Sequence, residues 1–108
     1  MEKHLTIAQA QTEVDKWITS IGKGYFSELT NMAILTEEVG ELARIISRRF
    51  GDQKPKQGEC LDNTRLADEL TDVLWVVMAL ANQTGVDLSE AFARNLDKKT
   101  VRDAGRFD

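Results

Sequence analysis

Residues 36–46 read TEEVGELARII, and residues 67–77 read ADELTDVLWVV. The two stretches align without a gap, since each has two adjacent acids, an apolar residue, one further position and a third acid followed by another apolar residue. Their apolar residues recur at the three- and four-residue spacing of an amphipathic helix. The pair therefore predicts two long helices with the same acidic pattern, and it favours an all-α fold.

Glycine and proline positions divide the rest of the chain into helical segments. Capping-box patterns at Thr6 with Gln9 and at Asp87 with Glu90 mark two helix starts. The predicted helices cover residues 6–22, 30–50, 63–85 and 87–102. Residues 52–62 are polar and contain the only proline, which predicts a mobile connection that could act as a lid. We expect one domain over residues 1–108, a four-helix bundle-like fold in which the second and third helices pack antiparallel.

Composition excludes several classes of function. The chain has 108 residues with 14 Lys+Arg against 18 Asp+Glu, a formal charge of −4, which argues against a broad basic surface for nucleic acid. One cysteine, Cys60, and one histidine, His4, cannot form an intrachain disulfide or a Cys/His zinc cluster. The longest apolar stretch, Val73–Ala81, is too short to span a bilayer, and no targeting segment is recognisable. We expect a cytoplasmic protein with neither a nucleic-acid nor a membrane partner.

The acids of the two repeated stretches project toward the apolar side of their helices. At about 100° per residue, Glu38 and Glu41 fall at or beside the stripe of the second helix, and Glu69 and Asp72 do so in the third. Burying unpaired carboxylates costs several kcal/mol each. A hard cation held by oxygen ligands, Mg²⁺ or Mn²⁺, best explains four converging acids. The stripe that we predict as the core of the second helix consists of Leu35, Val39, Leu42 and Ile46.

Three other interpretations of these acids remain open. They could be solvated charges or ion-pair partners of Arg44, Arg48 and Arg49, which is the usual role of a helical Glu. A di-iron bundle would need Glu-x-x-His pairs, and His4 is the only histidine. A non-catalytic helical interaction module would present an acidic stripe to solvent instead of setting it among Leu and Val.

Residues 37–41 (EEVGE) and 69–72 (ELTD) resemble the EExxE and ExxD motifs of MazG-like nucleotide pyrophosphohydrolases. The resemblance extends over most of the chain, from the loop at 24–26 to the tail at 106–107. It implies an all-α, Mg²⁺-dependent enzyme that cleaves nucleoside triphosphates between the α and β phosphates, giving a monophosphate and pyrophosphate. Thr71 departs from the motif, because many relatives carry Gly or Ser there. The nucleobase cannot be inferred from the resemblance.

The resemblance also assigns roles to individual side chains. It makes Glu37 the general base or an outer-shell residue, while two or more Mg²⁺ ions bridge the carboxylates and the triphosphate. It implies removal of aberrant nucleotides as the physiological role and a homodimer or homotetramer as the assembly. An oligomer would also cover Trp75, which projects away from the predicted core stripe of its helix. The implied metal ligands are Glu38, Glu41, Glu69 and Asp72, and the implied substrate contacts on the last helix are Lys98, Arg102 and Asn95. Tyr25 in the loop after the first helix could stack a base or close the end of the bundle.

Overall fold

The computed structural model describes residues 4–108, and these residues form helices connected by loops. The helices are α1 (Ile7–Ser20), α2 (Glu28–Phe50), α3 (Asn63–Thr84) and α4 (Leu88–Asp103). No strand occurs in the described part of the chain, so the all-α prediction is confirmed. Among residues 4–108, no helix has the length and apolar character needed to cross a membrane.

Local capping signals set the helix ends. The Thr6 hydroxyl accepts a hydrogen bond from the Gln9 amide, and the Gln9 side chain accepts one from the Thr6 amide, as the capping box predicts. The third helix ends at Gly85, whose φ of 74° is left-handed and therefore suits glycine. The second helix begins two residues earlier than predicted, because the Ser27 hydroxyl accepts from the Thr30 amide at 3.2 Å.

Helices α2 and α3 pack side by side with opposite chain directions. Near the start of α2, Asn31 Nδ2 donates to Gln83 Oε1 at 2.8 Å, close to the end of α3. Further along α2, Glu38 lies opposite Glu69 and Asp72 in the first half of α3. Contact partners thus move backward along α3 as α2 advances, which confirms the antiparallel prediction.

The face of α2 that packs on α3 differs from the predicted one. Ile45 is completely buried, whereas Val39 and Ile46 of the predicted stripe remain 47% and 40% exposed. The buried face includes Ile34, Glu38 and Ile45 and is centred about a quarter-turn from the predicted stripe, whose Leu35 and Leu42 are half-buried at its edge. The prediction of Val39 and Ile46 as core of the single chain was wrong, because apolar residues occupy two adjacent arcs of α2 and periodicity does not say which one a neighbour covers.

Helices α1 and α3 share a second apolar contact. Val14 and Ile18 of α1 pack with Met78 and Ala79 of α3 to form a buried cluster. Trp75 packs against this cluster and meets Trp17 edge to face, with ring centroids 5.4 Å apart and planes at 86°. The prediction that Trp75 is exposed in a single chain was therefore wrong, since α1 covers one side of the ring.

A buried amide network joins α1, α3 and the start of α4. Gln11 Nε2 donates to Asn82 Oδ1 at 3.0 Å and to the Val86 carbonyl at 2.9 Å, and Gln11 Oε1 accepts from the Leu88 amide at 2.8 Å. Asn82 Nδ2 returns a bond to the Gln11 carbonyl at 2.9 Å. Buried amides are tolerated when their donors and acceptors are paired, and this network fixes where α4 leaves α3.

The linker between α2 and α3 has one firm attachment to α2. Arg48 Nη1 lies 3.2 Å from Glu59 Oε2, and their side chains are only 15% and 13% exposed. Glu59 Oε1 also accepts from the Lys56 amide at 3.1 Å. The Lys56 hydrogen bond, followed by the Arg48 charge, lowers the pKa of Glu59 below its ordinary value.

Replacing Glu59 with Gln is expected to loosen the linker, because the carboxylate that pairs with Arg48 is lost. Limited trypsin digestion should then cleave faster after Lys56, while Glu90→Gln, which alters an exposed pair with Arg94, should not change the rate. A lowered carboxyl pKa means that this anchoring is present at neutral pH and is lost as the pH falls through that pKa. Equal digestion rates for wild type and Glu59→Gln at neutral pH would contradict the anchoring role.

Candidate functional site

Three acids meet between the two long helices. Glu38 of α2 and Glu69 and Asp72 of α3 each place a carboxylate oxygen within 4.8 Å of the others, and we call these three residues the acidic cluster. Glu69 is 8% exposed, Glu38 is half-buried and Asp72 is exposed. The spacing of Glu69 and Asp72 places them one turn apart on the same side of α3. The cluster is therefore open to solvent at Asp72 and closed at Glu69.

Electrostatics within the cluster favours binding of a cation. Burial raises the pKa of Glu38, and the nearby negative charges of Asp72 and Glu69 raise it further. A divalent cation would reverse this repulsion. Oxygens that coordinate Mg²⁺ at about 2.0–2.1 Å are at most about 4.2 Å apart, so small side-chain rotations would bring the set to this distance. An all-carboxylate donor set of this size fits a hard cation.

The fourth predicted ligand, Glu41, is not in the acidic cluster. It is half-buried one turn after Glu38, and its carboxylate pairs with the Arg44 guanidinium of the same helix. The sequence prediction considered Arg44 as an ion-pair partner of the acids, and at Glu41 this is what the structure contains. The structure thus brings together three of the four predicted metal ligands and leaves Glu41 beside them.

Glu37 lies on a different side of α2 from its neighbour Glu38. The two side chains are separated by about 100° around the helix, and Glu37 is exposed. The sequence placed Glu37 outside the ligand set for this reason, and its observed exposure agrees with that projection.

A small cavity begins one helical turn from the acidic cluster. Its volume is about 180 Å³, and its walls include Ile34 and Val76, each one turn from an acid of the cluster. Tyr25 and Phe26, from the loop between α1 and α2, form part of the wall. The Tyr25 hydroxyl donates to Asp15 Oδ1 at 2.5 Å, and burial together with this bond raises the pKa of Tyr25. Tyr25 thus lines the same cavity as Ile34 and Val76, and its hydroxyl is held by α1.

The predicted phosphate contacts of α4 lie elsewhere in the single chain. Asn95 lines an apolar groove of about 410 Å³ with Leu74 and Phe92. Leu74 is about 140–160° around α3 from the acids, so this groove opens on the opposite side of the helix. Lys98 and Arg102 are exposed farther along α4, and Arg102 Nη2 pairs with Asp103 Oδ2 at 2.6 Å. Within the described residues of one chain, α4 therefore does not bring these three side chains to the acidic cluster.

Sequence reasoning missed one charged neighbour of the cluster. Arg65 Nε lies 3.2 Å from Glu69 Oε1, with the arginine side chain 38% exposed and the glutamate side chain 11% exposed. The four-residue spacing of Arg65 and Glu69 in a helix was the available signal, since residues so spaced face each other.

Comparisons with known proteins agree with the four-helix architecture and the acidic motifs. The MazG nucleotide pyrophosphohydrolase domain family matches residues 26–107. YpjD of Bacillus subtilis strain 168, an uncharacterized protein, is 42% identical over 102 residues, which cover 94% of this chain and 90% of YpjD. The crystal structure of Bacillus subtilis YpjD superposes with a TM-score of 0.78 at 41% identity, covering 94% of this chain and all of that one.

A second solved structure is described as the Bacillus-conserved MazG protein, a nucleotide pyrophosphohydrolase. It has a TM-score of 0.71 and 36% identity, and the match covers 90% of this chain and 91% of that chain. The family match spans most of the chain and includes both acidic motifs. The chain therefore belongs to the MazG nucleotide pyrophosphohydrolase family.

Proposed function

We propose that this chain hydrolyses nucleoside triphosphates to the monophosphate and pyrophosphate with Mg²⁺, which Mn²⁺ can replace, and thereby clears aberrant nucleotides from the cytoplasmic pool. The observation that carries the proposal is the convergence of Glu38, Glu69 and Asp72 from two helices. An acidic stripe that served only to bind a basic partner would face solvent, whereas Glu69 is buried. Membership of the MazG family adds independent support.

The acidic cluster and Glu41 would hold the metal. A divalent cation supplies Lewis acidity and charge neutralisation to a phosphoryl group. Glu41 lies one turn from Glu38, and it can join the set when its side chain leaves Arg44. Glu37 is solvent-accessible beside these ligands, so it can accept a proton from the attacking water or orient that water.

The cavity beside Tyr25 is the proposed place for the nucleoside. It lies between the aromatic loop and the acidic cluster, so a triphosphate attached to a nucleoside bound there can reach the acids. Aromatic walls favour a stacked base. Tyr25 is held by Asp15, and its ring therefore needs no ordering when a base binds.

We also propose that the chain works as a homodimer or homotetramer. Met32, Val39 and Ile46 recur every seven residues along α2 and are 50%, 47% and 40% exposed. This spacing is that of one position of a coiled-coil heptad, and we call these three residues the α2 seam. A second copy of α2 would cover it and account for apolar periodicity that the single chain leaves unused.

The shape of the single chain supports the same assembly. Its radius of gyration is 17.0 Å, whereas a compact domain of this length has about 13 Å. Helix α4 has no buried residue, although Phe92, Leu96 and Val101 are large and apolar. We infer that α4 packs on a partner and brings its Asn95, Lys98 and Arg102 to the partner's acidic cluster.

A panel of nucleoside triphosphates, assayed for release of pyrophosphate and of phosphate, tests the proposed reaction. We expect Mg²⁺-dependent release of pyrophosphate with the matching monophosphate and no inorganic phosphate, because cleavage between the α and β phosphates leaves the β–γ bond intact. Release of phosphate and a diphosphate would contradict the proposed scissile bond. Absence of turnover for canonical and damaged ribo- and deoxynucleotides alike would contradict the proposed activity.

A further inference from the structure

Two arginines form ion pairs with acids that the proposed function assigns to the metal. Arg65 Nε lies 3.2 Å from Glu69 Oε1, and the Arg44 guanidinium pairs with Glu41 Oε2. Both arginine side chains are 38% exposed, so each is in contact with its acid and also accessible from solvent. A cation that binds the carboxylates has to compete with these guanidinium groups for the same oxygens.

Each arginine lies on the linker side of the acid with which it pairs. Arg44 follows Glu41 by about one turn toward the end of α2, and Arg65 precedes Glu69 by about one turn at the start of α3. The linker joins these two helix ends, so both arginines lie away from the cavity beside Tyr25.

The position of the arginines gives a direction to a bound triphosphate. If the nucleoside occupies the Tyr25 cavity and the metal occupies the acidic cluster, the β and γ phosphates extend toward Arg44 and Arg65. A guanidinium binds phosphate oxygens through two parallel hydrogen bonds, which makes it suited to a pyrophosphate leaving group. Among the described residues, Arg44 Nε is buried without a hydrogen-bond partner, so this guanidinium has an unused donor.

We propose that Arg65 and Arg44 are exchangeable counter-ions, which neutralise Glu69 and Glu41 before the metal binds and then transfer to the pyrophosphate part of the substrate. This inference rests on the proposed function, because it takes both the metal and the triphosphate from it. The exchange gives each guanidinium an anionic partner in both states. It also means that each arginine opposes metal binding in the free protein and favours phosphate binding in the loaded one.

The first arm of the test measures metal binding without nucleotide. Isothermal titration of the full chain with Mg²⁺ should show about two- to fivefold tighter binding for Arg65→Gln than for wild type, because an ion pair of this exposure contributes up to about 1 kcal/mol. Arg44→Gln should change affinity in the same direction and serves as the second variant if Arg65→Gln does not fold. The matched control is Arg94→Gln, which removes an exposed pair with Glu90 on α4 and should leave the affinity unchanged.

The second arm measures inorganic pyrophosphate binding at saturating Mg²⁺. Here Arg65→Gln should weaken binding about tenfold, since a charge-assisted hydrogen bond is lost. Arg65→Lys keeps the positive charge but not the two parallel hydrogen bonds of a guanidinium, and it should recover part of the affinity for pyrophosphate. Opposite changes in the two arms distinguish exchange from a merely structural ion pair, whose loss would lower the melting temperature without this reversal.

Either of two results would overturn the exchange: unchanged Mg²⁺ affinity in both glutamine variants, or pyrophosphate binding that survives both substitutions. These results differ from a failure of the proposed function. If the wild-type chain itself does not bind Mg²⁺, the metal site is wrong and the exchange falls with it. If wild type binds Mg²⁺ and releases pyrophosphate while the arginine variants match it, only the exchange is wrong.

Discussion

Glu69→Gln is expected to remove the Mg²⁺-dependent rise in melting temperature and to lower triphosphate turnover by about 10²- to 10³-fold. Glutamine keeps the size of the side chain, and its carbonyl can still accept from Arg65, so we expect the variant to fold. It removes the most buried carboxylate of the acidic cluster, and with it a charge that the metal needs. Thermal melting with and without Mg²⁺, followed by a pyrophosphate-release assay, measures both effects.

The Mg²⁺-dependent rise in the wild-type melting temperature sets the size of the effect that Glu69→Gln should lose. A ligand present at a hundred times its Kd stabilises the folded state by about 2.7 kcal/mol, which corresponds to a melting shift of several degrees or more for a small domain. Glu90→Gln is the matched control, since its carboxylate is exposed on α4 and it should retain both the shift and the turnover. Normal Mg²⁺-dependent turnover by Glu69→Gln would rule out the acidic cluster as the metal site.

Ile46→Lys is expected to break the assembly into single chains. In one chain this position is 40% exposed, so a lysine can extend its ammonium into water at little cost. In the proposed assembly the same position belongs to the α2 seam, where two copies would bury the charge. Analytical ultracentrifugation should show a shift from dimer or tetramer to monomer. Turnover should fall and recover as protein concentration rises, because mass action restores the partner's α4.

Leu29→Lys is the control for the seam. Leu29 belongs to the same helix and is 81% exposed, but it lies about 100° around α2 from Ile46. We expect this variant to sediment like wild type. A monomeric wild-type chain, or an Ile46→Lys variant with unchanged mass, would contradict the proposed assembly.

Local features of this chain were predictable because neighbouring residues determine them. The Thr6 and Gln9 capping box and the Gly85 stop occur where the sequence placed them, since each depends on a few backbone groups nearby. Glu38 and Glu69 were predicted to face the interior from helical projection alone, and both are at least half-buried. The spacing of acids within a helix thus predicts which side of that helix they occupy.

Packing between helices was less predictable. The projection selected the arc of α2 with Val39 and Ile46, whereas the arc that the single chain buries is the one with Ile45. Both arcs are apolar, so the hydrophobic pattern does not show which arc is buried within one chain and which forms the exposed α2 seam. The same limit applies to Trp75, because the approach of α1 depends on long-range contacts such as those of Trp17 and Gln11.

The charged neighbours of the acids illustrate a different limit. The side chains of Glu41 and Arg44, and of Glu69 and Arg65, were close in sequence and could have been paired by spacing alone. Spacing does not decide between an ion pair and a metal ligand, since one carboxylate can serve as either. Whether a carboxylate pairs with its arginine or binds a metal depends on whether a cation is bound at the site.

The acidic cluster and the neighbouring cavity are built from different parts of the chain. The acids lie in the middle of two long helices, while Tyr25 and Phe26 belong to a short loop anchored to α1. In the proposed enzyme, substitutions in that loop can change which nucleoside is accepted without moving a carboxylate. Substrate range and catalytic power are then separable properties, and variants with new base preferences should be obtainable while the helices that carry the chemistry stay unchanged.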